Sequence, residues 1–463
     1  MISQKDMEQA LARAMKTGAD FAEIFCQDSM RHSLGMIDCA LESAVSAQER
    51  GVGVRILCGT RCIYAYGNDL SLSGLLHLAD SVAAALDGPC LKQQDILLTP
   101  MKISSVHPIL KNGSDFDYRK KAETIRAAHD SARAYSNEIV QVSVSLADSM
   151  HEILIANSEG LLAQDRRAYT RLRISAIASN GAENQSGSES PGAHMGLEFL
   201  DTIDAAELGR ASAKQAVTML HAPFCPAGTM PVVMENGFGG VIFHEACGHS
   251  LEATSVARGN SVFCKKLGEK IASEKVSAFD DGTIPNAWGS LNISDEGEKT
   301  QRIQLLDHGV LKSYMIDRLG SRRMSMPSTG SGRRQGYTYA PTSRMTNTYI
   351  AAGEDDNEEM IASVERGLYA KSMGGGSVNP VTCEFNFAVR EGYLIENGKI
   401  TTPVRGATLI GKGHEVLLNI DRVGRDMCMA QGMCGSESGS IPTNVGQPRI
   451  RISSMTVGGK AEQ

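Results

Sequence analysis

Residues 243–253 read FHEACGHSLEA, and no other stretch constrains the local backbone so tightly. His244 and His249 bracket Glu245 and three small residues. An α-helix turns about 100° per residue, so histidines four apart lie ~40° apart and can share one ion. Histidines five apart diverge by ~140°. A regular helix cannot aim both rings at one point. Either the two are unrelated, or the backbone leaves the α-helix between them. A π-type turn, with i→i+5 bonding, restores a common face. Gly248 is the expected place for the distortion, because glycine accepts backbone angles that other residues resist. Ala246, Cys247 and Gly248 suit close packing, and Val241, Ile242 and Phe243 anchor the segment in a core.

Composition bounds what can surround this stretch. The 463 residues are too many for one ordinary core and suit two or three domains. A hydrophobic fraction of 42% and a charged fraction of 21% describe a soluble globular chain. The net charge of -7 and the lack of any Lys/Arg run argue against direct nucleic-acid binding. The pairs Arg322–Arg323 and Arg333–Arg334 flank a Ser/Gly-rich segment, which reads as a solvated mobile loop. The N-terminus lacks the apolar core of a signal peptide, and no apolar run reaches the ~20 residues that span a bilayer. The 11 cysteines are odd in number and scattered, as for buried thiols in a cytoplasmic protein.

The chain divides near its middle. Met7, Leu11 and Met15 open a helix. Cys58–Arg61 reads as a hairpin turn, and Leu75, Leu78, Val82 and Leu86 recur at helical spacing. A helix is expected over Tyr118 to Tyr135, and IVQVSVSLAD alternates as a strand. A turn falls at Asn157–Gly160. SNGAENQSGSESPGAHMG is loop by composition, and a further helix runs from about Ala205 to Leu220. Residues 1–221 therefore read as an α+β domain, a mixed sheet with flanking helices, whose histidines stand alone and offer nothing catalytic. HAPFCPAGTMP breaks the pattern. Residues 222–463 read as β-rich, with hairpins at Asn397–Gly398 and His308–Gly309. Short helices are expected near Glu358–Arg366 and His414–Arg422. RMTNTYIAAG is read as an internal strand; the alternative is a peptide-binding edge offering Thr346 and Asn347.

A catalytic zinc takes three protein ligands and keeps one position open. Beyond His244 and His249, the third is Glu252, His414 or Cys434. Cys434 ranks first: flanking glycines let its loop approach closely, the polar surroundings do not suit a buried thiol, and a thiolate binds zinc well.

The ordered blocks GVGVR, FHEACGHSLEA, GEKIASEKVSAFDDGT, SDEGEKTQRIQLLDHGVLKSYMIDR, GRRQGYTYAPTSRMTNTYI and GMCGSESGSIPTNVGQP resemble the TldD/PmbA family of metallopeptidases, also called modulators of DNA gyrase. The resemblance spans essentially the whole chain and looks like the catalytic TldD type, which carries the H-E-x-x-x-H signature and the late cysteine. It implies that His244, His249 and Cys434 hold one Zn2+ per chain and that Glu245 is the general base. It implies peptide substrates, unfolded or extended. It also implies a dimer, either a homodimer or a heterodimer with an inactive relative. Asn379 stands where many relatives carry aspartate, and Ser436–Glu437 follow Cys434–Gly435 where a lysine is common.

On this reading Glu245, next to His244, takes a proton from a metal-activated water and passes it to the leaving amine. Three rivals stand beside it. One is a non-catalytic peptide-binding or scaffolding member of the same family. Another is a cysteine hydrolase using Cys434. The third, a DNA-directed regulator, is disfavoured by the acidic charge.

Overall fold

The structure is a computed structural model that describes residues 2–86, 88–89, 95–113, 118–379 and 382–460. The first half is built on four long strands, β1 (Phe21–Ile37), β2 (Ala40–Cys58), β5 (Ile139–Asn157) and β6 (Leu161–Ser179), with the shorter β3 (Arg61–Gly67) and β4 (Thr99–Pro100) at the edges. The sheet order is β3-β2-β1-β5-β6-β4, antiparallel except for β4 beside β6. The expected turns at Cys58–Arg61 and Asn157–Gly160 join β2 to β3 and β5 to β6.

Side chains alternate across a strand, so each strand has two faces. The even positions of β1, β5 and β6 (Ile24, Leu34, Val144, Leu172) are buried under the helices Gln4–Ala14, Leu72–Leu86, Tyr118–Arg133 and Ala205–His221. The odd positions (Phe25, Ile153, Ala163) face the second half and pack on Ile293. SNGAENQSGSESPGAHMG is not a plain loop: Asn184–Glu189 and Gly192–Ala193 add to the edge of β6. A Cβ on Gly187 would stand 2.1 Å from the Ser212 carbonyl oxygen, so a glycine lets this polar strand lie flat on the helix.

The second half is β-rich. Strands Gly228–Met234, Arg366–Val378, Glu384–Glu396, Thr408–Lys412 and Ile450–Gly458 close on one another as a barrel. The Asn397–Gly398 turn, with φ of 51° and 72°, joins Glu384–Glu396 to Lys399–Val404 as the dipeptide predicts. A six-stranded sheet lies alongside, ending in the hairpin Cys428–Ser436/Gly439–Gln447 with Cys428–Ser436 at the edge. RMTNTYI is internal: Asn347–Ile350 lies between Ala278–Asp281 and Gly439–Gln447, and Thr346 and Asn347 are buried. Their side chains bond Asp280, the Asp281 carbonyl and Ser290, so the peptide-edge alternative at this strand is excluded. Among the described residues no helix is long and apolar enough to cross a membrane.

The two halves meet through buried charge. Arg55 on β2 binds Glu23 on β1 at 2.8 Å and Glu296 of the second half at 2.6 Å, all three side chains being fully buried. Arg334 also pairs with Glu23, and Arg167 spans Asp165 and Asp295 at 2.9 and 2.7 Å. The expected solvated loop is therefore wrong at its C-terminal end: Arg333 and Arg334 are buried between the halves. The first-half histidines are not isolated either. His32 shares Asp148 with Lys121, and His107 stacks on His194 with centroids 4.4 Å apart.

Removing one partner of a buried pair leaves the other uncompensated. Arg55→Ala is expected to cost about 3–5 kcal/mol in urea denaturation, whereas a solvated pair would cost under about 1 kcal/mol. Burial and the neighbouring Glu296 push the Asp317 carboxyl up to about 7. A raised carboxyl keeps its proton in the folded chain after the unfolded chain has lost it. Its contribution to stability is present below about pH 4 and is lost as pH rises towards 7. Asp317→Asn, which keeps a capping side chain for the Gly320 N–H, should flatten this part of a stability–pH profile.

Candidate metal centre

The strand Gly228–Met234 feeds through the glycine-rich turn Gly237–Gly240 into the helical segment Val241–Phe243. Residues His244–Gly248 then form a π-helical turn, and the His249 N–H bonds the His244 carbonyl in i→i+5 register. This turn puts both imidazoles on one side, with ring centroids 5.0 Å apart and planes nearly perpendicular. Gly248 contributes differently from expectation. Its φ of -52° and ψ of -57° are ordinary helical values. What excludes a side chain is space: a Cβ there would lie 2.3 Å from the Met345 sulfur.

Cys434 arrives from the edge hairpin. Its Sγ lies 3.3 Å from His244 Nε2 and 3.2 Å from His249 Nε2. The three donor atoms all lie within 4.8 Å of one another. A tetrahedral zinc at usual bond lengths separates nitrogen from sulfur by about 3.6 Å, so the triangle needs only a few tenths of an ångström of adjustment. Two imidazoles and a thiolate are a donor set that zinc accepts, and three protein ligands leave a fourth position open.

The surroundings reinforce the fit. His249 Nδ1 donates to Glu252 Oε2 at 3.1 Å, which turns Nε2 towards Cys434. Glu252 itself is buried and accepts from the Met345 N–H at 3.3 Å. Burial opposes a charge on Cys434, yet His244 and His249 outweigh it and hold the thiol well below the ordinary thiol range. Burial likewise opposes charge on His249, and Glu252 and Cys434 overcome it, raising its pKa well above the usual imidazole value. Among the described residues His244 Nδ1, which is buried, has no hydrogen-bond partner. Glu245 is 26% exposed, its Oε2 3.8 Å from His249 Nε2.

Of the three candidates for a third donor, the structure brings Cys434 to the histidine pair. Glu252 stands behind His249 and bonds its far nitrogen. His414 lies in the first turn of the short helix Gly413–Leu418, which packs on the π turn, but is no part of the cluster. A second group, Cys39, His129 and Asp130, went unnoticed in the sequence because it joins a β-turn to a helix. Its His129 is already satisfied: Nε2 accepts from the Cys39 N–H at 3.2 Å and Nδ1 donates to Asp130 at 2.9 Å.

The chain matches the PmbA/TldA metallopeptidase domain 1 over residues 22–86, the central domain over 111–220 and the C-terminal domain over 227–459. It is 38% identical to a metalloprotease TldD homolog of Haemophilus influenzae over 95% of this chain and 93% of that one. It is 34% identical to a counterpart in Buchnera aphidicola, covering 99% and 96%. Among solved structures, a candidate modulator of a DNA gyrase from Thermotoga maritima shares the fold with a TM-score of 0.80 at 22% identity, covering 98% of this chain and all of that one. TldE from Thermococcus kodakarensis does so with a TM-score of 0.78 at 17% identity, again covering 98% and 100%. The chain belongs to the PmbA/TldD metallopeptidase family.

Proposed function

We propose that the chain is a zinc-dependent peptidase acting on unfolded or extended peptides. The observation that carries the proposal is the convergence of His244, His249 and Cys434 from an i→i+5 turn and a distant hairpin, with the Glu245 carboxylate alongside. A zinc ion bound there supplies Lewis-acid polarisation of the scissile carbonyl and a lowered pKa for water. His244, His249 and Cys434 hold the ion. Glu252 fixes the His249 ring by taking its Nδ1 proton in a hydrogen bond. Glu245 is not needed as a ligand. Its partly exposed carboxylate takes the proton of the attacking water and delivers it to the leaving amine. The strand Cys428–Ser436, which carries Cys434, lies at the edge of its sheet, where an extended substrate could add alongside it.

The rest of the proposal covers setting and organisation. The chain works in the cytoplasm as a homodimer or with a non-catalytic relative. It divides into units 1–221 and 222–463. Hydrophobic clusters that end at Leu220 and restart at Cys225 support that division.

One alternative has an observation of its own. Cys434, His249 and Glu252 stand in a nucleophile–base–orienter line at 3.2 and 3.1 Å, as a cysteine hydrolase requires. A second imidazole on the same sulfur, and a thiol only 6% exposed, favour the metal reading.

Elemental analysis separates these readings. About one zinc per chain is expected in both the wild type and Glu245→Ala, with peptide cleavage only in the wild type. Zinc binding with undiminished cleavage in Glu245→Ala removes Glu245 from the mechanism. A chelator should abolish cleavage and added zinc restore it, whereas a thiol enzyme would survive chelation. Glu252→Gln is expected to lower zinc affinity or activity by roughly 10–100-fold.

A further inference from the structure

Arg344 is fully buried and bonds a residue of the metal centre without belonging to the donor cluster. It follows the short strand Thr342–Ser343 and precedes Met345, whose sulfur packs on Gly248 of the π turn. An arginine keeps its charge at any ordinary pH, so burying one is costly unless its donors are met. Among the described residues the one carboxylate within ion-pair reach is Glu252, whose Oε1 stands 3.9 Å from Nε, too far for a hydrogen bond. Nε itself has no hydrogen-bond partner among those residues.

The two terminal nitrogens are spent on the edge hairpin. Nη2 donates to the Cys434 carbonyl at 2.5 Å. Nη1 donates to the Gly439 carbonyl at 2.9 Å and to Ser438 Oγ at 3.0 Å. Cys434 and Gly439 lie on opposite strands of the hairpin, with Ser438 in the turn between them. A planar fork that bridges both strands fixes the tilt of the hairpin as well as its distance. A lysine ammonium, a single point on a flexible stem, cannot fix both. Gln335 and Arg258 also hold the hairpin tip, through Ser438, Ser440 and Glu437. Among the described residues, however, Arg344 is the one side chain that bonds the Cys434 backbone.

The neighbours of Arg344 hold the histidine segment. Ser343 Oγ accepts from the Thr254 N–H at 2.8 Å. The Met345 N–H donates to Glu252 Oε1, and Glu252 in turn bonds His249 Nδ1. Residues 343–345 thus touch both sources of the donor set, the π-turn segment and the hairpin. We propose that Arg344 is a positioning residue for the metal centre. By gripping the Cys434 carbonyl and the hairpin turn, it sets the sulfur at bonding distance from the point that His244 and His249 face. The proposal rests on the reading of those three residues as metal ligands and is independent of peptide cleavage.

The test uses the full chain, stripped of metal by a chelator and titrated with Co2+. Cobalt reports the sulfur through a thiolate-to-metal charge-transfer band, and competition with a chromophoric chelator gives the zinc affinity. The wild type should show the band. Arg344→Lys should weaken it and lower zinc affinity by roughly 10–100-fold. A merely structural arginine would lower the melting temperature of the metal-free chain and leave the band of the folded, cobalt-loaded chain unchanged. Ser438→Ala removes one contact of Nη1 and keeps the charge in place. It should cost roughly 2–10-fold in zinc affinity, and it carries the test if Arg344→Lys does not fold. An undiminished band and zinc affinity in the folded variants, beside a normal wild-type band, overturn the proposal and leave the metal reading intact. Absence of the band from the wild type overturns the metal reading, and this proposal with it.

Discussion

One backbone hydrogen bond, from the His249 N–H to the His244 carbonyl, sets the geometry of the site. Without that i→i+5 step the two rings point ~140° apart and Cys434 meets one of them at most. The turn is held by close backbone approaches at glycines. Gly248 lies against Met345, Gly240 against the backbone of Gly446, and Gly413 against the Ala246 carbonyl, each too tight for a Cβ. A π turn is a poor helix by itself. Here it is fixed by what packs around it, and the packing is close because the residues are small.

The charged layer between the halves does a related job at larger scale. Buried ion pairs add little net stability against an apolar interface, but their directionality fixes one arrangement. Arg55, Arg334 and Arg167 each hold carboxylates that fix the first sheet against the second half. That seating determines how the edge hairpin lies between the π turn and the sheet face, and so how Cys434 reaches the histidines.

Local features were legible in the sequence. The alternation of β5, the Asn397–Gly398 and His308–Gly309 turns and the helix at Ala205 all follow from periodicity and turn chemistry. The histidine spacing pointed to a π turn as the way for both rings to share one face. Long-range partners were not legible. Arg333 and Arg334 sit in a Ser/Gly-rich stretch whose composition suggests solvent, and the acid that buries Arg334 lies 311 positions away. Asn184–Glu189 has no apolar alternation, because it pairs at the edge of β6 and needs none. Gly248 was correctly singled out but for the wrong property: its value is an absent Cβ, not unusual dihedrals. Glu252 and His414 stood behind Cys434 as candidate third donors, and the fold puts Glu252 behind His249 and His414 outside the cluster.

The span between His244 and Cys434 is 190 positions. A cation gripped by both therefore acts as a rivet, closing a long loop and pinning an outermost strand to an interior turn. Tying such distant points removes conformational freedom from the unfolded chain, and mass action makes the gain grow with free metal. With zinc as the proposed cation, its supply would govern how firmly this margin of the molecule is fastened, and a metal-free chain would fray first at the strand that carries Cys434.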